Sequence, residues 1–389
     1  MNVEQILALL PDNLLSELAI ETRVNRYSKK LQGEVIFKLL LHCLLSHKDN
    51  SLRVMESAYE SMAFNLLNAD NAKGSIRYSS ISERLSTINA VYFEKLYQKC
   101  VDIYGKQIGE SSSAITRFDS TIVALSGQLL KVGYHLKGGD AAHVRQLKFT
   151  IGFSELPTTV HLFTAQKYTS ENTALKEAIL LHQPYKTNAI RIFDRGITSR
   201  KTHDELTDKN IPFISRIHTQ SKHQEHTPNQ LNQPVETNTL HLFSDTWLYL
   251  YTTDTGRAKH PVRCIRAISK NKGEEFAFAT NIVDLSCEEI TELYKRRWDI
   301  EVFFKFLKQE LNFSHLINRS ENGIKVMLYA TMIASILILV YKKTNSMTGF
   351  KIVKQKFTQQ IEKLLVKDIV YLCGGNPTLV DNLLFKPPK

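Results

Sequence analysis

AITRFDSTIVAL, residues 114–125, is a β-branched, largely apolar run with one carboxylate, Asp119, in its middle, and it reads as a strand. The next two apolar stretches continue the pattern. VRQLKFTIGF (144–153) and TTVHLFTA (158–165) alternate apolar with polar residues and predict two further strands. Residues 170–182 carry helical spacing behind Ser170, a suitable N-cap. AIRIF (189–193) is a short strand ending at a second carboxylate, Asp194, and a helix over 199–210 and the strand PFISRI (212–217) follow. The order β-β-β-α-β-α-β predicts an α/β class, a mixed sheet with helices packed on it.

The flanks read differently. Residues 219–237 are polar and rich in Gln, His, Asn and Pro, and the short runs 239–243, 247–252 and 262–268 are β-like, so 218–275 predicts a β-rich insertion. EFAFATNIV (275–283) returns to a strand. Ser286 then caps a predicted long helix that runs to about Leu311, with Glu288 and Glu289 in its first turn. Upstream, residues 1 to about 110 read as helices: 36–45 is strongly apolar, and 82–104 has helical spacing at Leu85, Ile88, Val91, Tyr92, Leu96 and Cys100. Arg23, Arg26, Lys29, Lys30, Arg53, Lys73, Arg77 and Arg84 recur between them. A DNA-binding helical module and a plain solvated cap both fit, and no helix-turn-helix signature stands out. The tail 345–389 offers Phe357, Ile361, Leu364, Leu365, Ile369 and Leu372 for a helical contact with a second copy.

At 389 residues there is room for two or three domains, and 43% hydrophobic residues exclude a disordered chain. Lys and Arg outnumber Asp and Glu by 50 to 39, a net charge of +11 that favours a polyanionic partner. The five cysteines are odd in number and form no C-x-x-C pair, which argues against a disulfide framework or zinc site and suits a reducing cytoplasm. MNVEQILALLPDNLLSEL at the N-terminus is amphipathic and lacks a basic leader, so no signal peptide is expected. VMLYATMIASILILVY (326–341) is apolar but only 16 residues long, short of the ~20 that span a bilayer, and predicts a buried helix and no membrane partner.

Asp119 and Asp194 each follow an aromatic residue in an apolar strand, where a carboxylate is costly unless paired. Two such aspartates on neighbouring strands can hold a divalent cation; Mg²⁺ prefers hard oxygens and often takes only one or two carboxylates. Taken alone, either also reads as a turn or capping residue. The helix 286–311 is more specific. Tyr294, Arg297, Glu301 and Lys308 follow at +3, +4 and +7, one face of a helix, with Leu293, Ile300, Phe304, Leu307 and Leu311 opposite. A lone acid among cations suits a third metal ligand beside phosphate-binding groups. Ion pairing such as Glu301–Lys305 explains only part of the row. Trp298 reads as packing.

Tyr294-x2-Arg297-x3-Glu301-x6-Lys308, opening as YKRRWDIE (294–301), resembles the signature of the insertion-sequence-four family of DDE transposases. FDST (118–121) is similar to that family's first-aspartate motif and FDRG (193–196) to its second. The resemblance covers roughly residues 114–311. It implies a ribonuclease H-like catalytic domain in two parts, 111–217 and 276–344, around the β-rich insertion 218–275. A helical N-terminal DNA-binding region (1–110) and a helical C-terminal tail (345–389) would flank it. Asp119, Asp194 and Glu301 would form the catalytic, metal-binding triad for two Mg²⁺ ions, with Asp119 bridging both and Mn²⁺ able to substitute. Tyr294, Arg297 and Lys308 would hold end DNA. The family's base-stacking aromatic is not identified; Phe276 and Trp247 are candidates, and both read first as β-core packing. The implied function is cut-and-paste transposition: a homodimer binds the terminal inverted repeats of double-stranded DNA, nicks them, and transfers the 3′ ends to target DNA. The place would be the bacterial cytoplasm, at the nucleoid. Two alternatives stay open, a ribonuclease H-like nuclease or resolvase without strand transfer, and a non-catalytic DNA-binding regulator.

Overall fold

Local capping starts several of the N-terminal helices of this computed structural model, which describes residues 1–47, 49–68, 74–109, 115–125, 133–135, 145–182, 188–252 and 256–384. Lys73, Ser111–Ser113, Ala114 and Val144 of the sequence reading lie outside these residues. Helix α1 (Val3–Leu7) opens on a capping box, Asn2 and Gln5 each accepting the other's backbone N–H. Helices α2 (Leu14–Thr22) and α3 (Gly33–Ser46) follow, then α4 (Leu52–Glu60) and α5 (Met62–Leu67), capped by the hydroxyls of Ser51 and Ser61. The stretch expected as one helix over 82–104 is two, α6 (Tyr78–Thr87) and α7 (Ala90–Ile108). The break falls at Ile88–Asn89, where the Asn89 side chain accepts the Val91 N–H at 3.1 Å and restarts the helix.

The sheet comes next. Its elements are β1 (Ile115–Leu125), β2 (Tyr134–His135), β3 (Arg145–Phe153), β4 (Pro157–Phe163), α8 (Glu171–Leu181), β5 (Ile190–Phe193), α9 (Arg200–Asp208) and β6 (Phe213–Ile217). This is the predicted succession with the two-residue β2 added. Strands β7 (His223–Glu225), β8 (Val235–Glu236), β9 (Leu240–Thr252), β10 (Gly256–Arg257), β11 (Val262–Ser269) and β12 (Glu275–Thr280) complete it. Strand order is β10-β9-β11-β12-β6-β5-β1-β3-β2, with β4 also on β3, and β7 and β8 on β9. The pairs β1–β5 and β5–β6 are parallel and the rest antiparallel, so the sheet is mixed. Strands of the 218–275 region thus extend the same sheet through β12. Residues alternate between its faces. Phe118, Phe193, Phe213, Leu175 and Leu206 fill one side under α8 and α9. Ile115, Ile192, Ile214 and Ile265 face the other, where Ile290 and Tyr294 cover them.

Helices α10 (Cys287–Lys295) and α11 (Trp298–Glu310) replace the single long helix expected over 286–311. Ser286 does cap α10, in a capping box with Glu289. Helix α12 (Glu321–Thr344) is long and apolar enough to cross a membrane, but 89% of its apolar window is buried inside the protein. It packs on α3, α6 and α7, and α13 (Phe350–Leu372) and α14 (Thr378–Leu384) follow it. The chain divides into a helical unit, mainly Met1–Ile108 with Lys305–Lys389, and a sheet unit, mainly Gly133–Phe304 with β1. Two tail positions expected to await a second copy, Phe357 and Leu365, are buried within their own unit, whereas Tyr371, Leu372 and Leu379 are exposed.

Candidate active site

Register brings the two aspartates together. In the parallel pair β1–β5, Phe118 is the partner of Phe193, so Asp119 and Asp194 occupy the next positions on adjacent strands. Adjacent strands run ~4.8 Å apart, close enough for both carboxylates to reach one cation. The two phenylalanines behind them are fully buried, which anchors that register. Asp119 lies inside β1, opposite Ile151 of β3, and is partly buried. Its Oδ1 accepts the Ser120 N–H at 2.8 Å. Burial pushes its carboxyl up to about 6; the Ser120 N–H and Arg297 oppose the shift, and Glu171 and Glu301 add to it.

Above pH ~6 the folded protein carries a charge that it holds less well than the unfolded chain does, so ionisation of Asp119 costs stability; below the ordinary carboxylate range the cost vanishes. In protein stripped of metal by chelator, Asp119→Asn should therefore raise Tm at pH 8. The gain should fade as pH falls from about 6 to about 4. A gain independent of pH, seen by calorimetry at matched ionic strength, would contradict this assignment.

The helical residues arrive from the break between α10 and α11. Tyr294, near the end of α10, is buried edge-on against Phe278 at 5.1 Å, and its hydroxyl donates to Asp194 Oδ1 at 3.3 Å. Burial, and then the Asp194 charge, raise its pKa, so the phenol keeps its proton. Arg297 sits in the break itself. Its guanidinium pairs with Glu301 and lies 3.9 Å from Asp119 Oδ2, bridging the first and third acids. Among the described residues the buried Arg297 Nε–H finds no acceptor. Among the described residues, no group of three or more His, Cys, Asp or Glu side chains stands close enough to hold a metal ion. Glu301 is turned to Arg297 instead.

The row of four is thus not one uninterrupted helix face. Tyr294 is core-facing, contrary to expectation, because its ring fills the layer between α10 and the sheet. Lys308 is exposed on α11 and falls in the helical unit. Trp298 was expected to pack and is 62% exposed, since the break rotates it out of the apolar stripe that Ile300 and Phe304 continue. Phe276 is half-buried with the Arg216 guanidinium 4.5 Å from its ring centre, and Trp247 is half-buried on β9 opposite Arg263.

Two positioning groups escaped the sequence reading. Arg117 on β1 is almost wholly buried. It donates to the Arg296 carbonyl at 2.7 Å and the Ser154 carbonyl at 2.5 Å, and pairs with Asp299 at 3.0 Å. It ties the α10–α11 break to the strand that carries Asp119. Arg117→Met should cost about 3 kcal/mol or more, because buried carbonyls lose a charged donor. An unchanged urea midpoint would sink that role. The second group is Lys148, buried on β3, whose ammonium holds Glu171 at 2.9 Å. Glu171 stands against Gly196, where a Cβ would come within 2.8 Å of its Cγ. The glycine of FDRG therefore leaves room for a fourth carboxylate near Asp119. Both signals were present as charges inside apolar strands.

Comparison with known proteins gives a consistent picture. Residues 111–337, more than half the chain, match the model of a family described as the transposase DDE domain. A stretch of 247 residues is 26% identical to a protein of Synechocystis sp. named as a transposase for insertion sequence element IS4SA, and covers 60% of this chain and 62% of that relative. A shorter stretch of 78 residues is 36% identical to a protein of Geobacillus stearothermophilus named as a transposase for insertion sequence element IS5377, over 20% of this chain and 21% of the other. A third, 30% identical over 94 residues, is the transposase y4zB of Sinorhizobium fredii, over 24% and 26% of the two chains.

Proposed function

The chain belongs to the DDE transposase family, and from that premise we propose that it mobilises an insertion sequence by cut-and-paste transposition, with Asp119, Asp194 and Glu301 as its catalytic acids. The observation that carries the reading is the β1–β5 register that sets Asp119 beside Asp194, with Arg297 linking Asp119 to Glu301. The donor set fits a hard divalent cation. Asp119 is a desolvated carboxylate whose nearest donor is one backbone N–H, so its free lone pairs favour a cation. Mg²⁺, or Mn²⁺ in its place, would be held by Asp119 and Asp194, with Glu301 available once released from Arg297. Held there, two such ions would supply Lewis-acid polarisation and activate a water at a phosphodiester.

The chain's own residues do the rest. Tyr294 keeps its proton on Oη and donates a hydrogen bond to Asp194, which orients that carboxylate. Arg297 offers a phosphate its fork of N–H groups, including the Nε–H that has no partner among the described residues. Lys308 supplies an exposed charge further along α11 for the DNA backbone, and Phe276 and Trp247 remain candidates for stacking on a base near the cut. Hydrolysis frees a 3′-OH, which then attacks a target phosphodiester, so one bond forms as another breaks and no covalent enzyme intermediate is needed. Joining two ends calls for two copies of the chain. Exposed Tyr371, Leu372 and Leu379 in the tail are surfaces for that contact. The work would be done on chromosomal DNA in the cytoplasm.

The test is a duplex carrying the element's terminal repeat, incubated with the protein and each cation in turn. Mg²⁺ and Mn²⁺ should support both nicking and joining to a target plasmid, Ca²⁺ binding without cutting, and chelator neither step. Nicking with no joined product would make the protein a nuclease. Cutting in chelator would remove the metal from the account.

A further inference from the structure

The two aspartates are held by different means. Asp119 lies inside β1, paired across to Ile151 of β3. Asp194 is the first residue past β5, whose last ladder partners, Phe118 on β1 and Ser215 on β6, both stand opposite Phe193. The backbone of Asp194 is therefore placed by the loop that follows, residues 195–199, which leads into α9. Ser199, the residue before α9, makes no capping bond with its own side chain. The loop is gripped from α8 instead. Asn172, in the first turn of α8, accepts the backbone N–H groups of Thr198 at 2.6 Å and Ser199 at 2.9 Å through Oδ1. Its Nδ2 donates to Thr198 Oγ1 at 2.8 Å. The start of α8 is in turn fixed to the sheet, since Lys148 of β3 donates to the Thr169 carbonyl at 3.1 Å and to Glu171 at 2.9 Å. Glu171 packs on Gly196, and Ile197 is buried in the apolar layer with Leu175 of α8 and Phe118. Strand β3, the start of α8 and the loop 195–199 thus form one clasp, running from the strand beside Asp119 to the backbone behind Asp194.

We propose that Asn172 is a positioning residue, which fixes the backbone of Asp194 beside Asp119 so that both carboxylates meet one cation. The proposal rests on the cation reading above. Tyr294 acts on the Asp194 carboxylate, whereas Asn172 acts on the chain behind it. Thr198 is exposed and Ser199 half-buried, so water reaches their N–H groups once Asn172 is gone. The fold then survives while the loop loosens. Groups that orient metal ligands from outside contribute ~10–100-fold to metal affinity, which sets the scale of the expected effect.

The test is Mn²⁺ binding by the full chain without DNA, read from the electron paramagnetic resonance of the free ion, beside end-DNA nicking across a Mn²⁺ series. Asn172→Ala should raise the Mn²⁺ Kd ~10-fold or more, and the Mn²⁺ concentration for half-maximal nicking should rise with it. The nicking rate at saturating Mn²⁺ should stay within severalfold of the parent. Gly196→Ala puts a Cβ 2.8 Å from Glu171 Cγ, strains the clasp from its other side, and should shift the Kd in the same direction. Thr198→Val removes the acceptor of Nδ2 but leaves both N–H bonds, and should bind Mn²⁺ as the parent does. If the parent binds Mn²⁺ and folded Asn172→Ala matches it, Asn172 serves the fold alone and the proposal falls. An equal shift in Asn89→Ala, which breaks side-chain bonds to Thr22 and Val91 in the helical unit, would make the effect general destabilisation and overturn the proposal as well. If the parent binds no Mn²⁺, the cation reading itself falls and the proposal with it.

Discussion

Asp119→Ala, Asp194→Ala and Glu301→Ala should each reduce nicking of end DNA by ~10³-fold or more while leaving duplex affinity within a few-fold of the parent. The large kinetic effect follows from the chemistry. Phosphodiester cleavage needs charge stabilisation at the attacked phosphate, and each missing carboxylate would remove a proposed cation ligand. The small binding effect follows from charge. Removing an acid from a cationic protein does not weaken its attraction for DNA. The three variants should differ in stability. Burial raises the Asp119 carboxyl, so its replacement relieves a cost, whereas replacing Glu301 leaves the partly buried Arg297 with a weaker set of partners. Near-parent nicking by any one folded variant takes that residue out of the catalytic set. A gel assay with purified protein reads this directly.

Arg297→Lys should be nearly as damaging, lowering nicking by ~10²-fold or more although the charge is kept. Arg297 emerges from the two-residue gap between α10 and α11, pairs with Glu301, and reaches toward Asp119 with the same guanidinium. An ammonium is a compact point charge whose three N–H groups lack the planar fork that lets one guanidinium reach two carboxylates and a phosphate. The lysine variant should keep the fold, because Arg117 from β1 anchors the break independently of Arg297. Parent-level cutting by Arg297→Lys would reduce Arg297 to a surface ion pair.

Much of the sheet was legible because side-chain period and turn chemistry are local. Alternation in 144–153 and 158–165, and the short apolar run ending at Asp194, state strand and direction without tertiary help. The adjacency of Asp119 and Asp194 was legible only as neighbouring strands; their register depends on Phe118 meeting Phe193, a non-local choice. The α10–α11 break was hidden. KRRWDIE holds no Gly or Pro and suits a helix throughout, yet the Arg296 carbonyl is taken by the Arg117 guanidinium from a strand 179 residues away. That tertiary bond competes with the helical ladder, and with it go the expected positions of Tyr294 and Trp298. The 218–275 strands were readable as β, but their attachment to the main sheet through β12 rests on pairings such as Ala277 with Ile217, which no local pattern encodes.

If these acids cut DNA by holding a divalent cation, Asp194→Cys should show cation-dependent rescue. A thiolate is a soft ligand that binds Mg²⁺ poorly and a softer cation such as Mn²⁺ better. Nicking of end DNA by Asp194→Cys should be absent in Mg²⁺ and return in Mn²⁺, while Asp194→Ala stays inactive in both. Equal activity of Asp194→Cys in Mg²⁺ and Mn²⁺, or rescue of the alanine variant by Mn²⁺ to the same level, would contradict a metal-ligand role for Asp194.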